Sequence, residues 1–420
     1  MIELGAGTLS LIFLVGIMVG ILTGFHIALV LVGVAVIIGY FTVGPAVFFL
    51  IYIRASVMIL NYNMLAIPLF TFMGVVLSKS GIAERLYRGL YLWLGGLNGG
   101  LALSTVVLGT ILAAGLGVVQ ASVSMLTTIS LGPMVKRGYG KDFASGSICA
   151  GGTLGILIPP SIMLVILGMM ASLSIGKLFF GAFIPGLVLS GLYLTYILVR
   201  SWLQPGIAPA APPEERGVPF IQKLTLLTSI LPPLAIILSV LGSIFFGIAT
   251  VYEAAGVGAA AALLATVIYR RFSLSMLMSS MRETLKVTGF VMLVTACANA
   301  AVGVFMYFGG RGVIEDMVLG IPFGRWGAFA GIMFATFILG MFIDWISIML
   351  IIVAILVPIA PSLGFDPLWF ALMVCVNLQM SFMTPPLAQA IFVCQGSADP
   401  RLGVTMADII KGVIPFVLLI

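Results

Sequence analysis

The chain has 420 residues, of which 62% are hydrophobic and 8% are charged, and its formal net charge is +6. A soluble domain of this size needs far more charge to cover its surface, so the composition excludes a soluble protein. It also gives no support for a nucleic-acid-binding surface. The apolar runs are longer and more uniform than the alternating segments of about 10 residues that build transmembrane barrels. We therefore predict an all-α polytopic membrane protein.

The first half, residues 1–202, is predicted to form one structural repeat. Clusters of Lys and Arg mark the cytoplasmic loops, because these loops carry an excess of basic residues. This rule gives each half about five transmembrane helices plus one re-entrant hairpin, since a span takes about 20 residues. The first hairpin is expected at about 101–135, and its tip in "GLGVVQASVS" (115–124) carries Gln120 and Ser122.

A broken helix is predicted at about 143–175, where "GGTLGILIPPS" (151–161) interrupts the apolar pattern. Two adjacent prolines remove backbone donors and clash with the preceding turn, so a regular helix cannot continue through them. Backbone freed in this way is tolerated at membrane depth only where protein or a watery cavity satisfies it. The residues assigned to this break are Gly151, Gly155, Pro159 and Pro160, with Gly152 and Thr153 beside them.

Residues 203–223 are rich in proline and alanine and carry charge, so we predict an exposed cytoplasmic linker there. The second repeat, 224–420, follows the same plan, with a hairpin at about 326–361 and a broken helix at about 368–396. Its proline pair, Pro385 and Pro386, comes 226 positions after the first pair. Because five crossings is an odd number, the second repeat is predicted to be inverted relative to the first.

Inverted repeats with helices interrupted at matching positions are typical of the substrate and ion sites of secondary transporters. Hydroxyl, amide and main-chain oxygens suit a hard monovalent cation such as sodium. The candidate cation ligands are Gln120, Ser122, Gly152, Thr153, Asp344, Asn377, Ser381 and Thr384. An alternative stays open for the uncharged candidates, because hydroxyl and amide side chains also join membrane helices by hydrogen bonds. Asp344 could instead relay a proton, pair with a basic group or lie exposed at a hairpin tip.

Other functional classes find little support in the sequence. The chain has no zinc-protease motif, nucleophile elbow or P-loop, so we predict that it is not an enzyme. Its four cysteines lack metal-type spacing, so no transition-metal site is expected. Sodium ions, as coupling ions, are the only bound species besides substrate that we predict.

Several runs together closely resemble the large membrane subunit of tripartite ATP-independent periplasmic (TRAP) transporters. They are "GGTLGILIPPSI", "GKLFFGAFIPG", "LGSIFFGIAT", "GMFIDW" and "VNLQMSFMTPP", and they cover nearly the whole chain in order. The resemblance implies an elevator-type fold in a bacterial inner membrane. It also implies sodium-driven uptake of a small carboxylate, such as a dicarboxylate or 2-oxo acid, that a periplasmic binding protein delivers.

The resemblance further implies a small four-helix membrane subunit as partner. No such segment precedes Met1 or follows Ile420, so a separate chain is expected. The first hairpin tip departs from the Gly-Ser-Ser of the family, because it reads Gln120-Ala121-Ser122. Only Ser122 matches, so Gln120 is the alternative ligand there. The second functional hypothesis is a stand-alone ion or anion transporter of related inverted-repeat design, which would need no partner.

Overall fold

The computed structural model describes residues 5–212, 219, 228–343, 345–349 and 353–420. Within this part of the chain, all regular elements are helical. The helices of the first half are α1 Ala6–Leu22, α2 Ile27–Val43, α3 Ala46–Ile59, α4 Ala66–Lys79, α5 Ile82–Leu94, α6 Gly100–Leu116, α7 Val119–Leu126, α8 Gly132–Lys136, α9 Lys141–Thr153, α10 Ile162–Met170 and α11 Ile175–Leu203.

The helices of the second half repeat this order. They are α12 Leu231–Phe245, α13 Val251–Ile268, α14 Leu274–Tyr307, α15 Gly310–Leu319, α16 Gly324–Phe342, α17 Trp345–Ile348, α18 Ala354–Leu356, α19 Pro367–Met383, α20 Gln389–Ser397 and α21 Met406–Val417. Helix α14 is a single helix of 34 residues, whereas the matching stretch 46–79 is divided into α3 and α4.

The chain reverses after α6 and again after α16. Gly117 ends α6 in the left-handed region at a φ of 58°, which glycine adopts without steric cost, and Val118 is extended before α7 begins. Ile343 is likewise extended after α16. Each short helical arm therefore returns from its turn beside the longer helix, as expected for a hairpin.

Two further helices are interrupted at the proline pairs. Helix α9 ends at Thr153, and α10 begins only at Ile162, after a short 3₁₀ turn. Helix α19 ends at Met383, and α20 begins at Gln389. Both the Pro159–Pro160 and the Pro385–Pro386 peptide bonds are cis. Each half therefore interrupts a helix at a proline pair, and the two interruptions lie at equivalent places.

The packing of helices is exchanged between the halves. Helix α4 packs on α13, and its counterpart α14 packs on α2. In the same way α9 packs on α21, whereas α19 packs on α11. Reciprocal pairs of this kind arise when two copies of a unit are related by a two-fold axis. They support the predicted pair of repeats, whose inversion across the membrane stays a prediction.

Several helices are suited to a bilayer. In the described part of the chain, five helical stretches are long and apolar enough to cross a membrane. They are Tyr62–Lys79, Ile175–Leu203, Val251–Ile268, Leu274–Tyr307 and Gly324–Phe342. Large apolar side chains are exposed along many helices, among them Phe49, Phe180 and Leu285. Such a surface is stable only in lipid or against another apolar chain, so the fold is that of a polytopic membrane protein.

The predicted exposed linker is wrong at Ala208 and Ala211, which are buried, whereas residues 203–206 are exposed. Ile207 O accepts a hydrogen bond from Gly140 N at 2.8 Å, and Ala208 O accepts one from Gly99 N at 2.8 Å. Ala211 N donates to Gly95 O at 2.7 Å, and the Ala208 side chain is fully buried. This stretch packs because its small side chains allow close backbone approach to the glycine-rich loop after α5. Residues 213–218 and 220–223 of the predicted linker lie outside the described residues.

Candidate functional site

A cavity of about 340 Å³ lies where both hairpins and both helix breaks meet two outer helices. One wall comes from α4 and α14, which we call the scaffold wall. The other comes from the tip of the first hairpin, the starts of α10 and α20, and α17, which we call the hairpin wall. The lining residues are Thr71, Val75, Leu116, Gly117, Val118, Gln120, Ala121, Ile162, Glu283, Lys286, Val287, Phe290, Val291, Trp345, Ile346 and Gln389.

The tip of the first hairpin rests against the first break. A Cβ on Gly117 would lie 3.7 Å from Ile162 N and 3.8 Å from Pro160 O. The carbonyl oxygens at the end of α6 face the scaffold wall, because a Cβ on Gly74 of α4 would lie 2.6 Å from Leu116 O. The hairpin tip therefore packs against the first break on one side and against α4 on the other. At the contact with α4 only a glycine fits.

Ser122 is the candidate of the first tip with a free hydroxyl. It is buried, and its Oγ has no hydrogen-bond partner among the described residues. This oxygen lies 3.3 Å from the position of a Cβ on Gly155, beside the first break. An unmatched buried hydroxyl is costly, so it marks a position where a ligand oxygen, a water or a cation would be stabilising.

The other candidates of the first break have packing roles in this conformation. Thr153 Oγ1 donates to Ala150 O at 2.9 Å within its own helix. Gly152 packs directly on Val123 of α7, where a side chain would meet the Val123 backbone at 3.0 Å. Gly151 lies inside α9 and not at the break, so its assignment as a break residue is wrong. Its carbonyl oxygen faces Gly109 of α6, which explains why small residues are needed at this crossing.

The second break is held by the second hairpin. Leu387 N, next to the proline pair, donates to Met341 O of α16 at 3.0 Å. Ser381 packs against Gly340 of α16, and a Cβ on Gly340 would lie 2.7 Å from Ser381 Cβ. Ser381 Oγ is buried without a hydrogen-bond partner in the described part of the chain. The backbone freed by the prolines is thus partly satisfied, while a hydroxyl beside it is not.

Two more candidates, Asn377 on α19 and Thr384 directly after it, are not among the residues that line the cavity. Asn377 Nδ2 donates to Met333 O of α16 at 2.5 Å, and its Oδ1 is buried without a partner among the described residues. Thr384 Oγ1 donates to Met380 O at 2.7 Å. Gln379, fully buried, also has no partner for either amide atom within the described residues. Helix α19 therefore carries several polar atoms that its neighbours do not match.

Gln120 connects the two halves of the molecule at the cavity. Its Nε2 donates to Gln389 Oε1 at 2.9 Å, which joins the first hairpin to the segment after the second break. Both residues line the cavity. Gln389 was not among the residues identified from the sequence. Its position directly after "MTPPLA" is the signal that could have identified it.

Asp344, the candidate of the second tip, lies outside the described residues, although its neighbour Trp345 lines the cavity. Among the described residues, the charged side chains of the lining are Glu283 and Lys286 of α14, and neither was identified from the sequence as a site residue. Lys286 and Val287 come three and four residues after Glu283, and Phe290 comes four and three residues after them. At this spacing all four side chains lie on one face of α14. That spacing was the signal that sequence reasoning missed.

The arrangement suits ions and small polar molecules. Within the described residues, no three His, Cys, Asp or Glu side chains come together. The oxygens on offer are hydroxyls, amides and main-chain carbonyls, which hard cations prefer. The cavity adds apolar walls and a few polar groups, which is the usual composition of a small-molecule site.

Fold, helix breaks and cavity together define a polytopic membrane transport protein built from broken helices. Residues 13–420 match the family model described as "Tripartite ATP-independent periplasmic transporter, DctM component". The chain therefore belongs to this family of membrane permeases, and it is not an enzyme.

Curated relatives include the "C4-dicarboxylate TRAP transporter large permease protein DctM" of Pseudomonas aeruginosa. It is 31% identical over 361 residues, which cover 86% of this chain and 82% of the relative. The "Isethionate TRAP transporter permease protein DctMQ" of Oleidesulfovibrio alaskensis is 30% identical over 348 residues, with 81% of this chain and 53% of the relative covered. Relatives named for two different small organic anions thus each match more than four-fifths of this chain.

A solved structure agrees with the fold. It is described as "Crystal structure of the Alcanivorax borkumensis YdaH transporter reveals an unusual topology". The TM-score is 0.57 at 15% sequence identity, with 86% of this chain and 85% of that chain covered. At this identity the likeness extends to the fold alone.

Proposed function

We propose that the chain is the large permease subunit of a sodium-driven uptake system for a small organic acid in a bacterial inner membrane. A periplasmic binding protein delivers the acid, and a separate small four-helix membrane subunit extends the scaffold. The acid is a dicarboxylate, a 2-oxo acid or a similar carboxylate. The observation that carries this proposal is the cavity between both helix breaks and the scaffold wall, in a chain of this family.

Sodium is proposed because unmatched oxygens lie beside both breaks. Ser122 Oγ next to the first break and Ser381 Oγ next to the second are buried without partners among the described residues. A cation bound at either place would gain a hydroxyl oxygen and nearby main-chain carbonyls. Because sodium entry releases free energy, its binding beside the substrate couples the two movements. Proton coupling through Asp344 is the alternative coupling mechanism.

An elevator movement is proposed from the division of the cavity into two walls. The hairpins and broken helices pack on one another, whereas α4 and α14 belong to the surrounding helices. The cavity reaches Glu283 and Lys286, which lie toward the N-terminal half of α14, the half that follows the basic loop predicted to be cytoplasmic. We infer that this conformation faces the cytoplasm, and that sliding of the hairpin wall along the scaffold exposes the cavity to the periplasm.

Uptake by proteoliposomes tests the proposal. The chain and the small subunit are reconstituted together, and the binding protein is added outside with radiolabelled succinate, malate, pyruvate or isethionate. We expect uptake of at least one acid under an inward sodium gradient, and none under an equal potassium gradient. Uptake that persists with potassium but follows a pH gradient would favour proton coupling.

The same assay separates the second functional hypothesis. Omission of the binding protein and the small subunit should abolish uptake in a tripartite system. Sodium-dependent uptake by the large chain alone would instead indicate a stand-alone transporter. Uptake of none of the acids with all three components present would contradict the proposed function.

A further inference from the structure

The scaffold wall of the cavity carries a cationic side chain. Lys286 lies in the middle third of α14, on the same face as Val287 and Phe290, and all three residues line the cavity. A lysine in a long apolar helix is costly unless it reaches water or a counter-ion. The cavity gives the Lys286 ammonium access to both.

Lys286 differs from the other charged residues near it. Glu283, one turn earlier, forms an ion pair with Lys79 of α4, with Nζ and Oε2 2.9 Å apart, and Lys79 Nζ also lies 3.0 Å from Ser279 Oγ. Among the residues that the structure describes, Lys286 has neither an ion-pair partner nor a hydrogen-bond partner. Glu283 and Lys79 form an ion pair, so among the described residues that line the cavity the Lys286 ammonium is the charge without a counter-charge.

The remainder of the cavity favours a small anion with a short carbon skeleton. Opposite Lys286 the hairpin wall offers the linked amides of Gln120 and Gln389, and apolar surface from Trp345 and Ile162. Amide groups can donate hydrogen bonds to an acid's second polar group, while the apolar surface covers its carbons. A volume of about 340 Å³ is at the small end of ligand cavities.

We propose that Lys286 binds a carboxylate of the transported acid from the scaffold wall, in the conformation described here. The proposal rests on the proposed function and adds a specific residue and a specific charge to it. Lys286 donates a charge-assisted hydrogen bond to the carboxylate, as a compact ammonium does with anions. Because the ammonium is a point charge, it also accepts a sulfonate, so isethionate is a useful second probe.

The position of Lys286 on the scaffold gives the contact a further consequence. Gln120 and Gln389 belong to the hairpin wall, whereas Lys286 belongs to α14. If the hairpin wall slides, the amides travel with the substrate and the ammonium does not. Lys286 therefore contributes to binding on the side where this conformation opens.

The test uses the complete three-component system in proteoliposomes, with the acid that the wild-type complex transports best. Lys286→Gln is compared with Lys286→Arg, which keeps the charge, and with the control Arg282→Gln, which removes an exposed charge on the same helix outside the cavity. Efflux of preloaded acid is measured as well as uptake, because it starts from the cytoplasmic-facing side. Melting temperatures of the purified complexes check that each variant is folded.

We expect Lys286→Gln to raise the apparent KM for efflux by about tenfold to a hundredfold, as loss of a charge-assisted hydrogen bond would. Lys286→Arg should keep the KM within about threefold, and Arg282→Gln should leave it unchanged. The melting temperature should stay that of the wild type in all three, because Lys286 makes no ion pair within the described residues.

Three contrary outcomes are distinct. Sodium-dependent transport by the wild type with an unchanged KM for Lys286→Gln would overturn this inference and leave the proposed function intact. An equal KM increase for Lys286→Gln and Arg282→Gln would also overturn it, because a general surface charge would then be responsible. Absence of transport by the wild type itself would contradict the proposed function, and with it the role of Lys286.

Discussion

The two proline breaks have the same cis backbone but different surroundings. Residues 154–161 of the first break are all buried, and Ser161 Oγ donates to Ile156 O at 2.6 Å within the break. At the second break Pro386 is exposed and Thr384 is half-buried. The first break is therefore closed into the protein, whereas the second is open on one side.

The polar atoms follow the same division. Beside the first break, Ser122 Oγ is unmatched among the described residues. On the helix that leads to the second break, Asn377 Oδ1, both amide atoms of Gln379 and Ser381 Oγ are unmatched in the described part of the chain. The comparison teaches that two copies of a motif can differ in degree: the first is mostly satisfied within the protein, while the second keeps more unmatched oxygens available for a ligand.

Substitution of one packed glycine in each hairpin should give the largest change in melting temperature. In Gly109→Ala the new Cβ lies 2.5 Å from the backbone oxygen of Gly151, so α6 and α9 must separate. In Gly340→Ala it meets the Ser381 side chain instead. Overpacking of this kind costs about 1–3 kcal/mol, so both variants should melt at lower temperature than the wild type.

Only the second variant should be rescued by a neighbouring change. Ser381→Ala removes the oxygen that faces Gly340 and should restore part of the stability of Gly340→Ala. No such change exists for Gly109→Ala, because its obstacle is backbone. Gly191→Ala is the matched control, since a Cβ there has no atom within 4 Å and helix propensity favours alanine. Equal rescue at both hairpins would show that the two breaks are packed alike.

The amide link between the halves gives a smaller effect. A double-mutant cycle of Gln120→Ala and Gln389→Ala should give a coupling free energy of about 0.5–1.5 kcal/mol in thermal or denaturant unfolding. Ser124 and Ser397, whose Oγ atoms are 2.9 Å apart, join the same two helices and form the control pair. Substrate should change the coupling of the glutamines alone, because only they line the cavity. An equal change in the serine pair would indicate a general tightening of the two helices.

The segment after α11 gives the smallest effect and is measured by hydrogen exchange. The amides of Gly99 and Gly140 donate hydrogen bonds to carbonyl oxygens of this segment, and the amide of Ala211 donates from the segment to a loop carbonyl. All three amides should therefore exchange slowly. Ala208→Asp, which places a carboxylate at a fully buried position, should accelerate exchange at all three. Ala171→Asp, at a half-buried helix end, is the control and should leave them unchanged. Fast exchange in the wild type would restore the view of an exposed linker.

The backbone of the site could be predicted from the sequence, because proline and glycine act locally. A proline pair cannot continue a helix, whatever surrounds it, so the breaks after Thr153 and Met383 follow from residue type. The reversal at Gly117 likewise needs a residue that tolerates a positive φ. Features that depend on one or two residues could therefore be predicted from the sequence.

The set of side chains that line the cavity could not be predicted from the sequence. Lys286 is more than 160 positions from Gln120 in sequence, and only the packing of α14 across α4 brings them to one cavity. Gly151 was assigned to the break because it begins the stretch that runs into the proline pair, yet it allows two helices to cross closely. The burial of Ala208 depends on backbone partners in distant loops. A local pattern can mark a residue of this kind, but which residues meet follows from tertiary structure.

The most direct test of the central claim is the melting temperature of the purified complex in sodium and in potassium at equal ionic strength. Binding to the folded state alone stabilises by about 2.7 kcal/mol at a hundredfold excess over Kd. We predict a sodium-specific rise that Ser381→Ala reduces more than Ser122→Ala, with Ser147→Ala, whose hydroxyl donates to Phe143 O at 2.7 Å, as control. Equal melting temperatures in the two salts would contradict sodium binding at the breaks.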